Sequence, residues 1–293
     1  MDQAAENQPS TTSNKLGRRS FLRGTGLTGL GLAGAAFASA RLGVLNSVPS
    51  MKALGVESAS VEAAQDLDTA IGNFALNLEY LEAEFYTMAV TGKTLEESGI
   101  KVSGAGASGS TTGGKMVDFS GEKLGRLGEI AEEIMRDEQQ HVVLLQQLLS
   151  ENAIAKPSID LNALGIGFET FQQFLELARA FEDTGVSAYG GAASLITSQN
   201  NFGFIMRIGQ VEALHSANLR LLIAANHIQT SALDSQDVLP PPSGNAYFET
   251  VGPALSVIRN TSQVLSIVYG NSKAGTSKGG FFPDGVNGAI KVV

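Results

Sequence analysis

At 293 residues with 43% hydrophobic side chains, the chain is long enough to bury a sizeable core in one or two domains. A net charge of −9 argues against a nucleic-acid partner, because phosphate backbones demand a basic face. The absence of cysteine excludes disulfides, thiolate metal ligands and a cysteine nucleophile, so carboxylate and imidazole must hold any metal.

The N-terminus reads as an export signal over residues 1–40. In "NKLGRRSFLRG" (14–24), Arg18 and Arg19 precede Phe21 and Leu22. A Gly/Ala/Leu run then ends in "ASA" (38–40), a small-residue site for cleavage after Ala40. This is the pattern of the twin-arginine route. The apolar run is shorter than the roughly 20 residues of a membrane span, so no stable membrane anchor is expected after cleavage. The expected destination is the periplasm, the cell envelope or the exterior. Residues 41–60 are small and polar and read as a linker.

Helical periodicity begins at residue 61. Over 61–91, Ile71, Phe74, Leu78, Leu81, Phe85 and Met88 recur at spacings of three and four. "SGAGASGSTTGG" (103–114), within a Gly/Ser-rich stretch over 99–115, breaks the pattern and predicts a flexible surface loop. A second helix is predicted over 121–150, on the spacing of Leu127, Ile130, Ile134, Leu145, Leu148 and Leu149. "AKPSIDLNALGIG" (155–167) is irregular. A third helix is predicted over 168–197 and a fourth over 201–227, the latter carrying Ile205, Ile208, Leu219, Leu222 and Ile223. A fifth, over 246–269, follows "LPPPSG", and the Gly-rich tail from Lys278 is expected to fold back, extended, on the body. The predicted fold is therefore all-α. Residues 61–230 form a four-helix bundle, and residues 231–293 add a helix and a packed tail. Helices of this length run on the order of 40 Å. A connection of about sixteen residues between the second and third can reach roughly 50 Å, enough for a long crossover.

The chain has only three histidines, and two of them repeat one spacing. "DEQQH" (137–141) and "VEALH" (211–215) both read Glu-x-x-His. At about 100° per residue, Glu138 falls within about 40° of Leu127, Ile134, Leu145 and Leu149, with His141 at the edge of the same face. Glu212 and His215 stand in the same relation to Ile205, Ile208, Leu219 and Ile223. On the third helix Glu182 lies among Phe171, Leu175, Ala178 and Tyr189, and Asp183 points about 100° away toward expected solvent. The first helix leaves two candidates. Glu82 lies nearer the centre of the apolar stripe, whereas Glu79 precedes Tyr86 by seven residues just as Glu182 precedes Tyr189. Tyr86 and Tyr189 read as core aromatics or as donors to these carboxylates. Glu84 falls away from the stripe, and His227 lies off the face at a helix end.

Buried carboxylates without partners are costly, and four together require protons or cations to neutralise them. Four carboxylates and two imidazoles suit two divalent ions, iron or manganese, with zinc also compatible. One glutamate from each of two helices plus Glu-x-x-His from each of two others is the arrangement of di-iron and di-manganese carboxylate bundles.

The segments "ALNLEYLEAEFY" (75–86), "RDEQQHVVLL" (136–145), "VEALHSANLR" (211–220) and "GGFFPDGVNG" (279–288) resemble the ferritin-like superfamily. Within it, they resemble exported ferritin-like domain proteins akin to desiccation-related proteins. The resemblance implies Glu79, Glu138, His141, Glu182, Glu212 and His215 as ligands of two metals, with Glu138 or Glu212 bridging. The superfamily includes ferroxidases, peroxide-reducing di-iron proteins, manganese catalases and oxygenases. Peroxide or oxygen is then the expected small-molecule substrate, and envelope stress protection the expected role. The alternative is a non-catalytic desiccation- or stress-related protein whose metal site is structural or vestigial. The long Gly/Ser stretch and the fifth helix depart from cage-forming ferritin subunits and argue against an iron-storage cage, while leaving a homo-oligomer open.

Overall fold

The computed structural model describes residues 61–293, with side chains from Leu67 onward. The expected export signal and linker lie outside the described residues. Four long helices form the body: α1 (Val61–Thr91), α2 (Leu127–Leu149), α3 (Phe171–Ala193) and α4 (Gln199–Asn226). A short α5 (Thr261–Val268) follows. Among the described residues no helix is long and apolar enough to cross a membrane.

α1 and α2 pack along each other, as do α3 and α4; α1 also meets α3, and α2 meets α4. The consecutive helices α2 and α3 therefore sit diagonally, which is the consequence of the crossover. Residues 71–87 of α1 are all buried, because α2, α3, the crossover and the C-terminal tail surround this helix. Helix ends follow local chemistry. Thr170 caps α3 through the amide of Gln173, and Ser198 caps α4 through that of Asn201. Asp68 accepts from the Thr197 and Ser198 amides, pinning the α3–α4 turn to α1. His227 ends α4 in the left-handed conformation, exposed, as its off-face position predicts. The core is a continuous apolar cluster, with Phe85 at the centre of an aromatic group of Tyr86, Phe168, Phe174 and Phe181.

Three expectations are corrected. The Gly/Ser-rich stretch is not a free loop. It pairs in parallel with the crossover, through an Ala105–Ile154 bridge and through β1 (Thr111–Thr112) against β2 (Ile159–Asp160). Gly109 is required there, since a Cβ would lie 2.0 Å from the Ser158 nitrogen. The predicted second helix starts later, at Leu127, after left-handed Gly121 and Gly125. The fifth helix is much shorter than predicted. Pro253, with Gly252 and Ala254 at positive φ, turns residues 250–256 into a hairpin of β3 (Thr250–Val251) and β4 (Leu255–Ser256). Helix resumes only where Asn260 and Gln263 form a capping box.

The tail packs on the body. Phe281, Phe282 and Val286 are buried, and the Asn287 side chain donates to the carbonyls of Ala107 and Ala155 while its amide donates to Asn77. The crossover is locked to α1 by Lys156, which is fully buried among Glu84, Glu96 (2.9 Å) and Thr111 (2.7 Å).

Candidate metal centre

The four long helices each carry a glutamate into the middle of the bundle. Glu79, Glu138, His141 and Glu212 each offer a ligand atom, all lying within 4.8 Å of one another. Glu138, Glu182, Glu212 and His215 form a second such group. Glu138 and Glu212, the glutamates of the two Glu-x-x-His words, belong to both. The other four residues divide cleanly between the groups.

Both imidazoles aim Nδ1 inward. His141 Nδ1 lies 3.2 Å from Glu79, 3.3 Å from Glu138 and 3.2 Å from Glu212. His215 Nδ1 lies 3.1 Å from Glu138 and 3.2 Å from Glu182. The ring centres are 6.4 Å apart. The tyrosines complete the arrangement crosswise. Tyr86 on α1 donates to Glu182 on α3 at 2.6 Å, and Tyr189 on α3 donates to Glu79 on α1. The seven-residue spacing thus reflects an exchange of hydrogen bonds between antiparallel neighbours rather than a bond within one helix.

Both first-helix candidates are buried. Glu79 joins the His141 group; Glu82 stands outside both groups. No helical wheel could separate them, because α1 has no exposed face along this stretch. Asp183, expected in solvent, is also buried. It accepts from Arg179 (3.2 Å), Arg220 (2.8 Å) and Ser216 (2.6 Å), because residues 231–260 fold over that side of α3 and α4. Asp183, Asp237 and Glu249 form a further acidic group, yet the guanidiniums of Arg179 and Arg220 already occupy Asp183. One residue escaped the sequence reading. Asp137 lies 3.3 Å from His215 Nε2 and can fix the ring's orientation and tautomer. Its only sequence signal is its place directly before Glu138.

Electrostatics follow from crowding. Burial pushes Glu79 up to about 7 against the pull of His141. Burial and repulsion from Glu182 and Glu79 push Glu212 up to about 8. Burial raises Glu182 despite His215. Burial and Glu212 act to raise Glu138, but its two imidazole neighbours prevail and hold it below the ordinary carboxylate range. Burial pulls both imidazoles down, yet the carboxylates prevail, led by Glu79 at His141 and Glu182 at His215, and hold both rings far above the ordinary range. Glu79 Oε2, Glu138 Oε1 and Glu212 Oε1 sit 3.1–3.2 Å from an imidazole nitrogen without an aligned hydrogen bond, and Glu212 Oε2 has no partner. Crowded, mutually repelling carboxylate oxygens around two inward-facing nitrogens are suited to divalent cations, as they are to protons.

The chain matches the family described as Ferritin-like domain over residues 67–225. It belongs to the ferritin-like family. The match takes in α2 and α3 entire, nearly all of α4, most of α1, and every member of both groups. No curated protein matches the chain. A ferritin-like bundle with this buried Glu/His cluster is compatible with a di-metal carboxylate protein.

Proposed function

We propose that this ferritin-like protein binds two divalent metal ions, iron or manganese, and uses them to react with peroxide or oxygen. The carrying observation is the pair of four-residue groups that share Glu138 and Glu212. In this reading Glu79 and His141 would hold one ion and Glu182 and His215 the other, with Glu138 and Glu212, which belong to both groups, available to either. When bound, the pair supplies Lewis acidity and electrons to an O–O bond. The chain's own residues set the conditions. Tyr86 and Tyr189 hold Glu182 and Glu79 in place, Asp137 orients His215, and the apolar wall around the cluster keeps out bulk water.

The wider setting rests on the sequence. The twin arginines support export of the folded protein to the cell envelope, and likeness to desiccation-related proteins supports a role in stress. A second reading is favoured by the closure of the site: His141 and His215 are only 7% and 6% exposed. In that reading the metals brace the bundle and catalyse nothing. Metal analysis of protein purified from its own host, followed by peroxide turnover, decides between them. The proposal expects two metals per chain and turnover that is lost in Glu138→Ala. Two metals with no turnover would leave the structural reading; no metal would remove both.

A further inference from the structure

Glu82 is the carboxylate that neither four-residue group includes. It is 3% exposed, and its Oε2 has no hydrogen-bond partner. Among the described residues the buried lysine and arginines are engaged elsewhere: Lys156 with Glu84, Glu96 and Thr111, Arg179 with Asp183 and Asp237, Arg220 with Asp183, and Arg259 with Asp234. Burial first, and then the repulsion of Glu212, Glu138, Glu182 and Glu79, work against the charge of Glu82. A leucine or glutamine could fill this space without that cost. Across from it α3 carries Gly185 in its interior, where alanine would favour the helix. A Cβ at Gly185 would lie 2.5 Å from Glu212 Oε2 and 3.2 Å from Glu82 Oε1. The third helix thus forgoes a side chain at the point where these two carboxylates lie together.

We infer that Glu82 is a seventh ligand residue of the metal pair, entering beside Glu212 when the pair carries more than four positive charges. The inference rests on the proposed metal pair. Glu79, Glu138, Glu182 and Glu212 carry four negative charges and match two divalent ions. Glu82 adds a fifth and matches one divalent with one trivalent ion. The role is therefore selective: it raises affinity for the higher charge and leaves divalent binding nearly untouched.

The test uses the full chain and its Glu82→Gln and Glu82→Asp variants, titrated against a competing chelator. The probes are Mn²⁺ and Ga³⁺, the latter a redox-inert trivalent ion. Circular dichroism verifies folding; glutamine keeps the shape and removes an unpaired buried charge, so the metal-free variant should melt no lower than wild type. All three proteins should take up two Mn²⁺ with similar affinity. In Glu82→Gln the preference for one Ga³⁺ over Mn²⁺ should fall by about tenfold or more. Glu82→Asp, which keeps the charge, should retain most of that preference. Unchanged preference in Glu82→Gln with two Mn²⁺ bound overturns this inference and leaves the metal pair standing. Failure of wild type to bind Mn²⁺ overturns the metal pair, and the inference with it.

Discussion

Glu79 and Glu82 differ by less than one helical turn, yet only Glu79 meets a histidine and a tyrosine. Glu79→Ala should therefore lower Mn²⁺ content far more than Glu82→Ala, as elemental analysis would show; the reverse order would move the ligand to Glu82. Tyr189→Phe removes the donor to Glu79. Loss of such an outer partner should weaken metal binding by about 10–100-fold with the fold intact. Glu249 offers a test away from the centre. Burial and the nearby Asp183 push it up to about 8, and neither of its carboxylate oxygens has a hydrogen-bond partner. A carboxyl raised in the native state contributes stability at pH values below its unfolded value, and that stability is lost as pH rises toward the native value. Between about pH 4.5 and 8, Glu249→Gln should thus flatten part of the decline, and at pH 8 it should gain about 1 kcal/mol or more. A variant that melts identically at every pH would show Glu249 to be properly paired. At this scale the Glu-x-x-His words were legible because residue type and spacing carry them. The burial of Asp183 was not, because the segment that covers it lies some fifty residues further along the chain.

Elements reveal what composition hides. Glycine and serine over 99–115 suggest freedom, but Gly109 serves close contact between two backbones. The neighbouring clamp is ionic: Lys156 and Glu84 are both fully buried and answer each other. Lys156→Met should leave Glu84 uncompensated and cost about 3–5 kcal/mol in chemical denaturation, and adding Glu84→Leu should recover much of the loss. A single variant as stable as wild type would mean that the pair does not hold the crossover to α1. The long helices were legible from their apolar periodicity. The predicted fifth helix failed because apolar spacing over 246–260 coincides with Pro253 and two positive-φ positions. That spacing leaves Phe248, Leu255 and Ile258 exposed on and beside a hairpin rather than on a helix face.

For the whole molecule, the central claim is that four buried carboxylates and two imidazoles are tolerated together because cations join them. Thermal melting of the metal-free and Mn²⁺-loaded chain across pH 4.5–8 tests it most directly. Without metal, Glu79 and Glu212 are raised to about 7 and 8, so their contribution is full below about 4.5 and fades as pH rises through that window. The raised imidazoles act in the same sense above their unfolded value near 6.5. Glu138, held low, changes its contribution only below about 4.5 and so leaves the slope across this window unaffected. With metal, protons compete for the same ligands, so the trend reverses and stability falls toward low pH. At neutral pH the loaded form should gain about 2.7 kcal/mol per site at a hundredfold excess over Kd. The account predicts two curves of opposite slope that diverge as pH rises. Superimposable curves at every pH would contradict it, and the cluster would then be a structural feature of the bundle that holds no metal.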